Sequence, residues 1–468
     1  VIVKMVDSKV FNQVIKFGAK YLEKKSNLII VDKPKSKSMP SFLKEIRKNP
    51  GVLYAEPDYK IELLSAPNDP HYVKQWHLNT IGAEKAWNSS NGSNTIVAVL
   101  DNGFDLQHPD LKNQFVKPYN AVTGKTSVPV SEHGTHVSGI IAASANNGMG
   151  GTGVAPGTKI MPINVFFQDM AFTSDIIKGI NYAVKSGADI INMSLGMGAY
   201  SKAFDESVQA AYKKGILIVA ASGNESLAMS NYPANFKNVI SVAATTKNDT
   251  KAFYSNYGSS IDIAAPGSGI ISTLPKATYG PMSGTSMASP VVAGVAALIL
   301  GKEPHLTNEQ ITYRLKQTAT AIKHPKTNEY YSYKRVSAEN ALKYRLLASP
   351  KVSDITEKST SFTLSYISAF KGKILVSGKL VKTVDYKGPF EIKLPLSKQK
   401  ANQTVSIKLV DEKGNESWPV TKKVKDVTAP AKPTVNMVKD NSKTITGKAE
   451  AGAVVTVKKG KTVVAKGK

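Results

Sequence analysis

The chain has 468 residues, 41% apolar and 21% charged, a composition that excludes wholesale disorder. It has no cysteine, which excludes disulfides, cysteine nucleophiles and thiolate metal sites. The formal net charge is +26, and residues 348–468 contribute +14 of it, from 24 Lys or Arg and 10 Asp or Glu. This excess indicates either a polyanionic partner or a lysine-rich surface that serves solubility alone. No run of 18 apolar residues is present, so we expect no membrane span.

Residues 1–64 alternate between strand and helix patterns. Apolar residues at helical spacing predict helices at 11–22 and 39–48. Extended segments are predicted at 1–6, 28–31, 52–57 and 59–63. Helices placed between strands that pair beside one another favour a small α+β module.

Residues 95–300 are rich in Gly, Ala and short apolar runs. Strands are predicted at 96–100, 160–165, 189–193, 216–221 and 239–243, and helices at 137–145, 174–185, 203–214 and 289–300. Apolar strands that alternate with helices are typical of an α/β fold, a parallel sheet with helices on both faces. Chemistry in such folds gathers at the carboxyl ends of the strands.

After residue 350 the helical patterns stop. Strands are predicted at 361–367, 373–376, 390–394 and 404–410, a β-sandwich pattern. A Pro/Ala linker at 428–433 precedes about three more strands, which we expect to be a second sandwich cut short. The predicted domains are therefore 1–65, 66–347, 348–427, and 428–468, the last being the linker and the shortened module.

Three motifs carry side chains suited to acyl transfer. Asp101 ends an apolar strand (VAVLDNG), His133 opens a helix (HGTHV), and Ser286 lies at the start of another helix (GTSMASP). Each alone is more typical of a turn, a cap or a structural histidine. Together they supply a hydroxyl nucleophile, an imidazole that takes its proton, and a carboxylate that fixes the imidazole's tautomer.

A fourth segment, VAASGN, ends a strand with Asn224. Its side-chain amide is able to donate a hydrogen bond to the oxyanion of a tetrahedral intermediate. Gly284 and Ala288 are small enough to let substrate approach Ser286, and the helix amino end behind Ser286 favours developing negative charge.

The order Asp, His, Ser with the motifs VLDNG, HGTHVSG, ASGN and GTSMASP resembles the subtilisin-like serine proteases over residues 66–345. The resemblance implies a subtilisin-like parallel sheet and a serine endopeptidase that forms an acyl-enzyme. It assigns the nucleophile to Ser286, the general base to His133, the orienting carboxylate to Asp101 and the oxyanion donor to Asn224. His136, the second histidine of HGTH, is expected to be structural.

Residues 1–64 resemble the inhibitory prodomain of the same family, especially the segment 52–58 (VLYAEPD). That resemblance implies a ferredoxin-like unit that assists folding and inhibits the protease within its own chain. The chain would then be an autoprocessed zymogen. The apolar segment ELLSA at 62–66 predicts cleavage near Leu64–Ala66.

The segments NDP at 68–70 and NNG at 146–148 resemble the thermitase-like branch of the family. By that resemblance one structural calcium site uses side chains of Asp69, Asp110 and Asn147 and carbonyls of Ser144, Met149 and Gly151. Such hard oxygen ligands suit calcium. The alternative is that Asp69 and Asp110 are only capping residues.

Two segments resemble the walls of the family's primary specificity pocket, namely Ser194, Leu195 and Gly196, and Ala221, Ser222 and Gly223. Asn231 is expected near the pocket base. The small residues leave room for a large apolar P1 side chain within a broad specificity. No acidic residue occurs in these segments, so a preference for Lys or Arg is not indicated.

The sequence disfavours three other functions. An inactive scaffold with binding modules is disfavoured because all four catalytic residue types are present. A zinc hydrolase built on His133 and His136 lacks an HExxH motif and a third ligand. A GxSxG esterase is disfavoured because position 288 is Ala.

The expected localisation is secreted and extracellular. The sequence begins with Val1, so we expect that this is not the translation start and that a signal peptide is already absent. Expected partners are polypeptide substrates, the chain's own prodomain and, through the basic 348–468 region, anionic cell-wall polymers. No nucleic-acid partner is expected.

Overall fold

The computed structural model describes residues 1–7, 20–23, 26–58, 66–324, 327 and 329–467. It divides into two compact units, Val1–Ala66 and Pro67–Lys468. The predicted strand at 59–63 and most of the predicted helix at 11–22 lie outside the described residues. The end of that helix prediction is wrong, because Lys20–Glu23 is a strand. Its pairing with the neighbouring strand, Tyr21 opposite Ile29, overrides the local helical spacing.

The first unit is an antiparallel sheet with one helix. Its elements are β1 (Ile2–Met5), β2 (Lys20–Glu23), β3 (Leu28–Ile30), α1 (Met39–Ile46) and β4 (Val52–Glu56), with strand order β2-β3-β1-β4. Val3 and Met5 alternate inward along β1 and meet Phe42 and Ile46 of α1 in a small core. The predicted α+β module is confirmed.

The second unit contains a nine-stranded sheet in the order β16-β17-β13-β12-β11-β10-β5-β7-β6. The strands from this part of the chain are β5 (Ile96–Asp101), β6 (Tyr119–Asn120), β7 (Lys159–Asn164), β8 (Phe166–Phe167), β9 (Met170–Ala171), β10 (Ile190–Met193), β11 (Leu217–Ala221), β12 (Ile240–Thr245), β13 (Ile263–Pro266), β14 (Ile270–Leu274), β15 (Thr278–Met282), β16 (Thr320–Lys323) and β17 (Tyr330–Arg335). In the sheet order, all neighbouring strands between β6 at one edge and β13 are parallel. At the other edge β16 pairs antiparallel to β17. β8 with β9 and β14 with β15 form separate hairpins.

Helices cover both faces of this sheet. They are α2 (Trp76–Ile81), α3 (Ala83–Trp87), α4 (Glu132–Ala142), α5 (Thr173–Lys185), α6 (Lys202–Lys213), α7 (Thr285–Lys302), α8 (Asn308–Gln317) and α9 (Ala338–Lys343). In β5, Val97 and Val99 join the core beneath α4 and α7, whereas Ala98 and Leu100 join the core beneath α5 and α6. The two-sided burial explains the near-continuous apolar strands and confirms the α/β sheet.

Helix α7 is long and apolar enough to pass a length-and-composition test for a membrane span, but 83% of that window is buried inside the protein. It packs against β11 and β12 in the centre of the unit. A helix buried at the centre of an α/β core is apolar on all sides, so it passes the same test by length and composition.

The C-terminal part is all β, as predicted, with β18 (Lys351–Val352), β19 (Ser361–Tyr366), β20 (Phe370–Val376), β21 (Lys379–Tyr386), β22 (Phe390–Pro395), β23 (Thr404–Asp411) and β24 (Val420–Lys423). Antiparallel sheets β18-β19-β22 and β21-β20-β23-β24 face one another over a shared apolar core. Two hairpins follow, β25 (Thr434–Val435) with β26 (Gly447–Lys448), and β27 (Val455–Lys459) with β28 (Thr462–Gly467).

Candidate active site

The polar side chains converge where the chain order of the sheet reverses. Strands β7 and β10 both follow β5 in the chain, but they pair with β5 on opposite sides. Asp101 is the last residue of β5, and β10 pairs Met193 with Leu100, so Ser194 follows at the same edge. A crevice outside the carboxyl ends of strands at such a reversal is the usual ligand site of open α/β sheets.

Asp101 and His133 form a hydrogen-bonded pair at this edge. His133 Nδ1 lies 2.8 Å from Asp101 Oδ1. The carboxylate is 1% exposed, whereas the imidazole is 33% exposed. His133 is therefore held by a buried carboxylate while part of its ring faces the crevice.

Two glycines allow this close approach of α4 to β5. A Cβ on Gly134 would lie 2.2 Å from the Gly103 carbonyl oxygen and 3.1 Å from Asp101 Cβ. Gly103 has φ +137°, and a Cβ there would lie 2.4 Å from the Pro129 carbonyl oxygen. The glycines of HGTH and LDNG thus bring the helix start against the strand end.

The pKa of His133 reflects this pairing. Burial lowers it, but the charge of Asp101 and the hydrogen bond that His133 donates to its carboxylate outweigh burial, so the net pKa is raised above 6.5. One turn further along α4, burial lowers the pKa of His136 to about 4. Its Nε2 lies 3.0 Å from the Gly280 carbonyl oxygen.

Ser286 lies in the first turn of α7 and is half-buried. Its hydroxyl donates to the Ser194 carbonyl oxygen at 3.2 Å, and the Ser194 hydroxyl donates to the Ser286 carbonyl oxygen at 2.8 Å. Within the described residues no hydrogen bond joins the Ser286 hydroxyl to His133. Ser194 thus brings α7 to the edge that carries Asp101 and His133.

Asn224 is anchored to the same helix start. Its Oδ1 accepts hydrogen bonds from the Thr285 amide at 2.9 Å and the Thr285 hydroxyl at 3.1 Å. The position of a Cβ on Gly284 would be 3.5 Å from Asn224 Nδ2 and 3.6 Å from the Ser286 amide nitrogen. Two N–H donors therefore flank one point, which the absence of a side chain at Gly284 keeps open.

The expected specificity segments meet around Asn231. A Cβ added at Gly196 would lie 3.2 Å from Asn231 Cβ, and a Cβ added at Gly223 would lie 2.7 Å from Asn231 Nδ2. The Asn231 amide nitrogen donates to the Ser222 carbonyl oxygen at 2.8 Å, next to Ala221 at the end of β11. The two segments are therefore adjacent, with the Asn231 side chain between them.

A cavity of about 480 Å³ lies beside His133. Ser194, Leu195 and Gly196 line one wall, and Ile176 and Phe204 are among its apolar lining residues. The cleft therefore presents an apolar surface next to the polar pair.

Sequence reasoning missed Glu225. This exposed carboxylate accepts hydrogen bonds from Asn231 Nδ2 at 3.1 Å and from Asn256 Nδ2 at 2.8 Å. It follows Asn224 directly, so its sequence position was a usable signal, but only the fold places it against Asn231. The specificity segments thus have an acidic neighbour on the side of Asn231.

The expected calcium ligands come together in one loop region. Asp69, 3% exposed, accepts hydrogen bonds from the amides of Asn146 and Asn147 at 2.9 and 3.0 Å. Asn147 Nδ2 donates to Asp110 Oδ1 at 2.5 Å, and the Asp110 carbonyl oxygen accepts from the Ser144 amide at 3.1 Å. Two backbone amides of the NNG loop and the Asn147 side chain therefore contact two buried carboxylates.

The donor set of this loop fits a hard cation. Asp110 Oδ2 is buried without a hydrogen bond of standard geometry, and burial raises the pKa of Asp110 to about 6. Among the described residues, no hydrogen bond is donated to the carbonyl oxygens of Ser144, Met149 or Gly151. The described ranges contain no group of three or more His, Asp or Glu arranged to hold a metal ion, so a site here would rest on amide and carbonyl oxygens beside two carboxylates.

Comparison with known proteins agrees with this architecture. The model of the subtilase family matches residues 92–335, and that of a bacterial Ig domain matches residues 429–468. A thermophilic serine proteinase of Bacillus sp. (strain AK1) is 39% identical over 311 residues, which is 66% of this chain and 77% of that protein. Thermitase of Thermoactinomyces vulgaris is 39% identical over 281 residues, which is 59% of this chain and 99% of thermitase.

Among solved structures, a protease from Pseudoalteromonas arctica PAMC 21717 is 34% identical with a TM-score of 0.55, covering 60% of this chain and 99% of that chain. The fold and its relatives define a serine endopeptidase. The chain belongs to the subtilase family, within which its relatives include thermitase, and it carries a bacterial Ig domain toward its C-terminus.

Proposed function

We propose that this endopeptidase acts through Asp101, His133 and Ser286. The observation that carries the proposal is the 2.8 Å hydrogen bond between His133 and the buried Asp101 at the strand edge that also holds Ser286 through Ser194. Asp101 fixes the Nδ1–H tautomer, leaving Nε2 to take the hydroxyl proton of Ser286 as the oxygen attacks the scissile carbonyl. For this the hydroxyl turns from the Ser194 carbonyl toward Nε2.

The acyl-enzyme forms when His133 returns that proton to the leaving amine, and water then hydrolyses the ester by the same base. Asn224 Nδ2 and the Ser286 amide stabilise the oxyanion in both steps. Their convergence beside Gly284 supports this role, because donors that are already in place need no reorganisation when charge develops.

Substrate specificity is proposed to be broad, with large apolar side chains preferred at P1. The primary pocket would lie between Ser194–Gly196 and Ala221–Gly223, with Asn231 at its base. Support comes from the glycines that face Asn231. The carboxylate of Glu225 would make this pocket tolerate a basic P1 residue in addition.

The chain is proposed to be made as a zymogen in four parts, 1–65, 66–347, 348–427 and 428–468. Inhibition by the first part is expected for the family. Cleavage is proposed near Leu64–Ala66, with Leu64 in the primary pocket. N-terminal sequencing of mature enzyme tests this, and an N-terminus beyond Trp76 would contradict it.

Calcium is proposed as a structural ion, since subtilisin-family relatives generally bind it. The ligands would be Asp69, Asp110 and Asn147 with the carbonyls of Ser144, Met149 and Gly151. Asn147 would present its Oδ1 to the ion, which requires its amide to rotate because Nδ2 faces Asp110. The ion would neutralise two buried carboxylates and supply no catalytic group.

Secretion is proposed because homologous subtilisins and thermitase are extracellular. The +14 charge of residues 348–468 supports diffuse attraction to anionic wall polymers. Such attraction is screened within a Debye length of about 8 Å at physiological salt. Binding of the full chain to purified walls should therefore fall steeply as salt rises, and salt-independent binding would contradict the electrostatic origin.

The catalytic assignment is tested with phenylmethanesulfonyl fluoride. It should inactivate the enzyme by modifying Ser286, identified by mass spectrometry of the labelled peptide. Ser286→Ala should hydrolyse no peptide p-nitroanilide above background. Full activity in Ser286→Ala, with the label on another serine, would overturn the assignment.

A further inference from the structure

A loop of the C-terminal sandwich contacts the α/β core at helix α8 and at the end of helix α9. This docking loop, residues 415–418, lies between β23 and β24. The ring of Trp418 meets the ring of Tyr313 on α8 edge-on, with centroids 5.3 Å apart. The apolar core of the sandwich contains neither Glu416 nor Trp418, and the docking loop is tied to β23 by hydrogen bonds between Ser417 and Leu409.

Glu416 is the polar centre of this contact. Its carboxylate accepts hydrogen bonds from the Tyr313 hydroxyl and from Lys408, the latter at 2.8 Å to each oxygen. Its amide donates to the Tyr344 hydroxyl at 3.1 Å, and its carbonyl oxygen accepts from the Leu347 amide at 3.0 Å. The side chain and the backbone of Glu416 thus both contact the protease side, while Lys408 of β23 binds the same carboxylate from the sandwich side.

The same tyrosines lead to the helix that carries Ser286. Tyr313 precedes Arg314, which is fully buried and makes two hydrogen bonds to Glu303 at 2.7 and 3.0 Å. The Arg314 guanidinium lies over the ring of Tyr344 at 5.7 Å. Glu303 is the residue that caps the C-terminal end of α7.

We propose that the β18–β24 sandwich is an intramolecular stabiliser of the protease and not an independent module on a tether. The docking loop holds Tyr313, which precedes Arg314 in α8, and Tyr344, whose ring lies against the Arg314 guanidinium. That guanidinium pairs with Glu303 at the end of α7. Bidentate pairs of a buried guanidinium depend strongly on their surroundings, because an unpaired buried charge is costly. The sandwich and the α/β core should therefore unfold as one cooperative unit.

Scanning calorimetry of the inhibitor-treated full chain tests this. The wild-type region from Pro67 onward should show the sandwich and the α/β core melting in one transition. The double variant Glu416→Gln/Trp418→Ala should separate them into two, with the α/β transition lowered by about 3–8 °C. Tyr313→Phe should act in the same direction from the other side of the contact.

Glu412→Gln is the matched control within the same turn. Glu412 is 59% exposed and pairs only with Lys371 among the described residues, so its loss should leave the single transition unchanged. Tyr200→Phe, which removes an exposed hydroxyl bond to Asp205, controls for Tyr313→Phe. Two separate transitions in the wild type, or an unaltered α/β transition in the double variant, would overturn the proposal.

Discussion

His133 and His136 lie three residues apart on α4 and have opposite electrostatic surroundings. His133 faces the Asp101 carboxylate, which raises its pKa above 6.5 despite burial. Burial lowers the pKa of His136 to about 4, and its neighbours include His77 on α2, whose pKa burial lowers to about 3. The first turn of the helix therefore favours the protonated imidazole, and the next turn disfavours it.

The contrast teaches that burial alone does not make a histidine catalytic. His77 is fully buried and neither ring nitrogen has a hydrogen-bond partner in the described chain. Burial destabilises the charged form of the His77 imidazole, and the residue gains no role at the cleft. A carboxylate partner and access to the crevice distinguish His133 from the two buried histidines.

The largest effect should come from breaking the charged pair. Asp101→Asn should lower kcat by about 10⁴-fold, because the imidazole loses the partner that fixes its tautomer and stabilises its charge. The same change should lower the pKa of His133, so the acid limb of the kcat/KM profile should move to lower pH. Peptide hydrolysis across pH 5–9 measures both. An unmoved acid limb would show that another group controls it.

Asn224→Ala should lower kcat by about 10²–10³-fold with little change in KM. Loss of the oxyanion amide in a subtilisin is known to have an effect of this size, so the experiment tests whether Asn224 has the same role here. Asn238→Ala, a change at an amide that bonds Gln209 on the surface, is the control. Equal kcat values for the two variants would remove Asn224 from the mechanism.

The buried histidines should set an acid limit on stability. The folded pKa of His77 is below its unfolded value of about 6.5, so its contribution is complete above pH 6.5 and is lost as pH falls toward 3. Each pH unit in this window costs about 1.4 kcal/mol. His77→Leu should therefore flatten the fall in melting temperature between pH 7 and pH 4.5.

The exposed His305 provides the matched control, since His305→Gln should leave the acid fall of the wild type intact. Among the described residues, His136 is the one titratable neighbour that acts on His77, and no carboxylate there offsets a charge on its ring. A variant His77→Leu with the wild-type pH slope would assign the acid sensitivity to other groups.

Removing calcium should lower stability without removing a catalytic group. A ligand at 100 times its Kd stabilises the folded state by about 2.7 kcal/mol, which corresponds to roughly 3–5 °C for a cooperative unit of this size. EGTA should therefore lower the melting temperature of the wild type but not that of Asp110→Asn. Asp385→Asn, in the sandwich, should respond like the wild type. A wild type indifferent to EGTA would exclude the site.

The smallest effect concerns Glu225. A surface carboxylate beside the pocket contributes about 1 kcal/mol to a P1 cation, so Glu225→Gln should lower the kcat/KM ratio of Lys to Leu substrates by about fivefold. Glu206→Gln, on the exposed face of α6, is the control. An unchanged ratio would mean that the Glu225 charge is compensated by its amide partners.

The sequence by itself determined the α/β order, the all-β C-terminal region and the candidate residues Asp101, His133, Ser286 and Asn224. These follow from local signals, since strand periodicity, turn glycines and helix starts depend on neighbours within a few positions. Only the tertiary structure decided that Lys20–Glu23 pairs as a strand, because pairing energy there exceeds local helical preference.

The tertiary structure also decided which histidine on α4 meets a carboxylate, since Asp101 is 32 residues from His133 and reaches it only through the parallel sheet. It placed Glu225 against Asn231, and Glu416 against Tyr313 across 103 residues. Contacts of this range leave no periodic trace in the sequence. They arise where packed elements meet, and burial then sets the pKa and the strength of each pair.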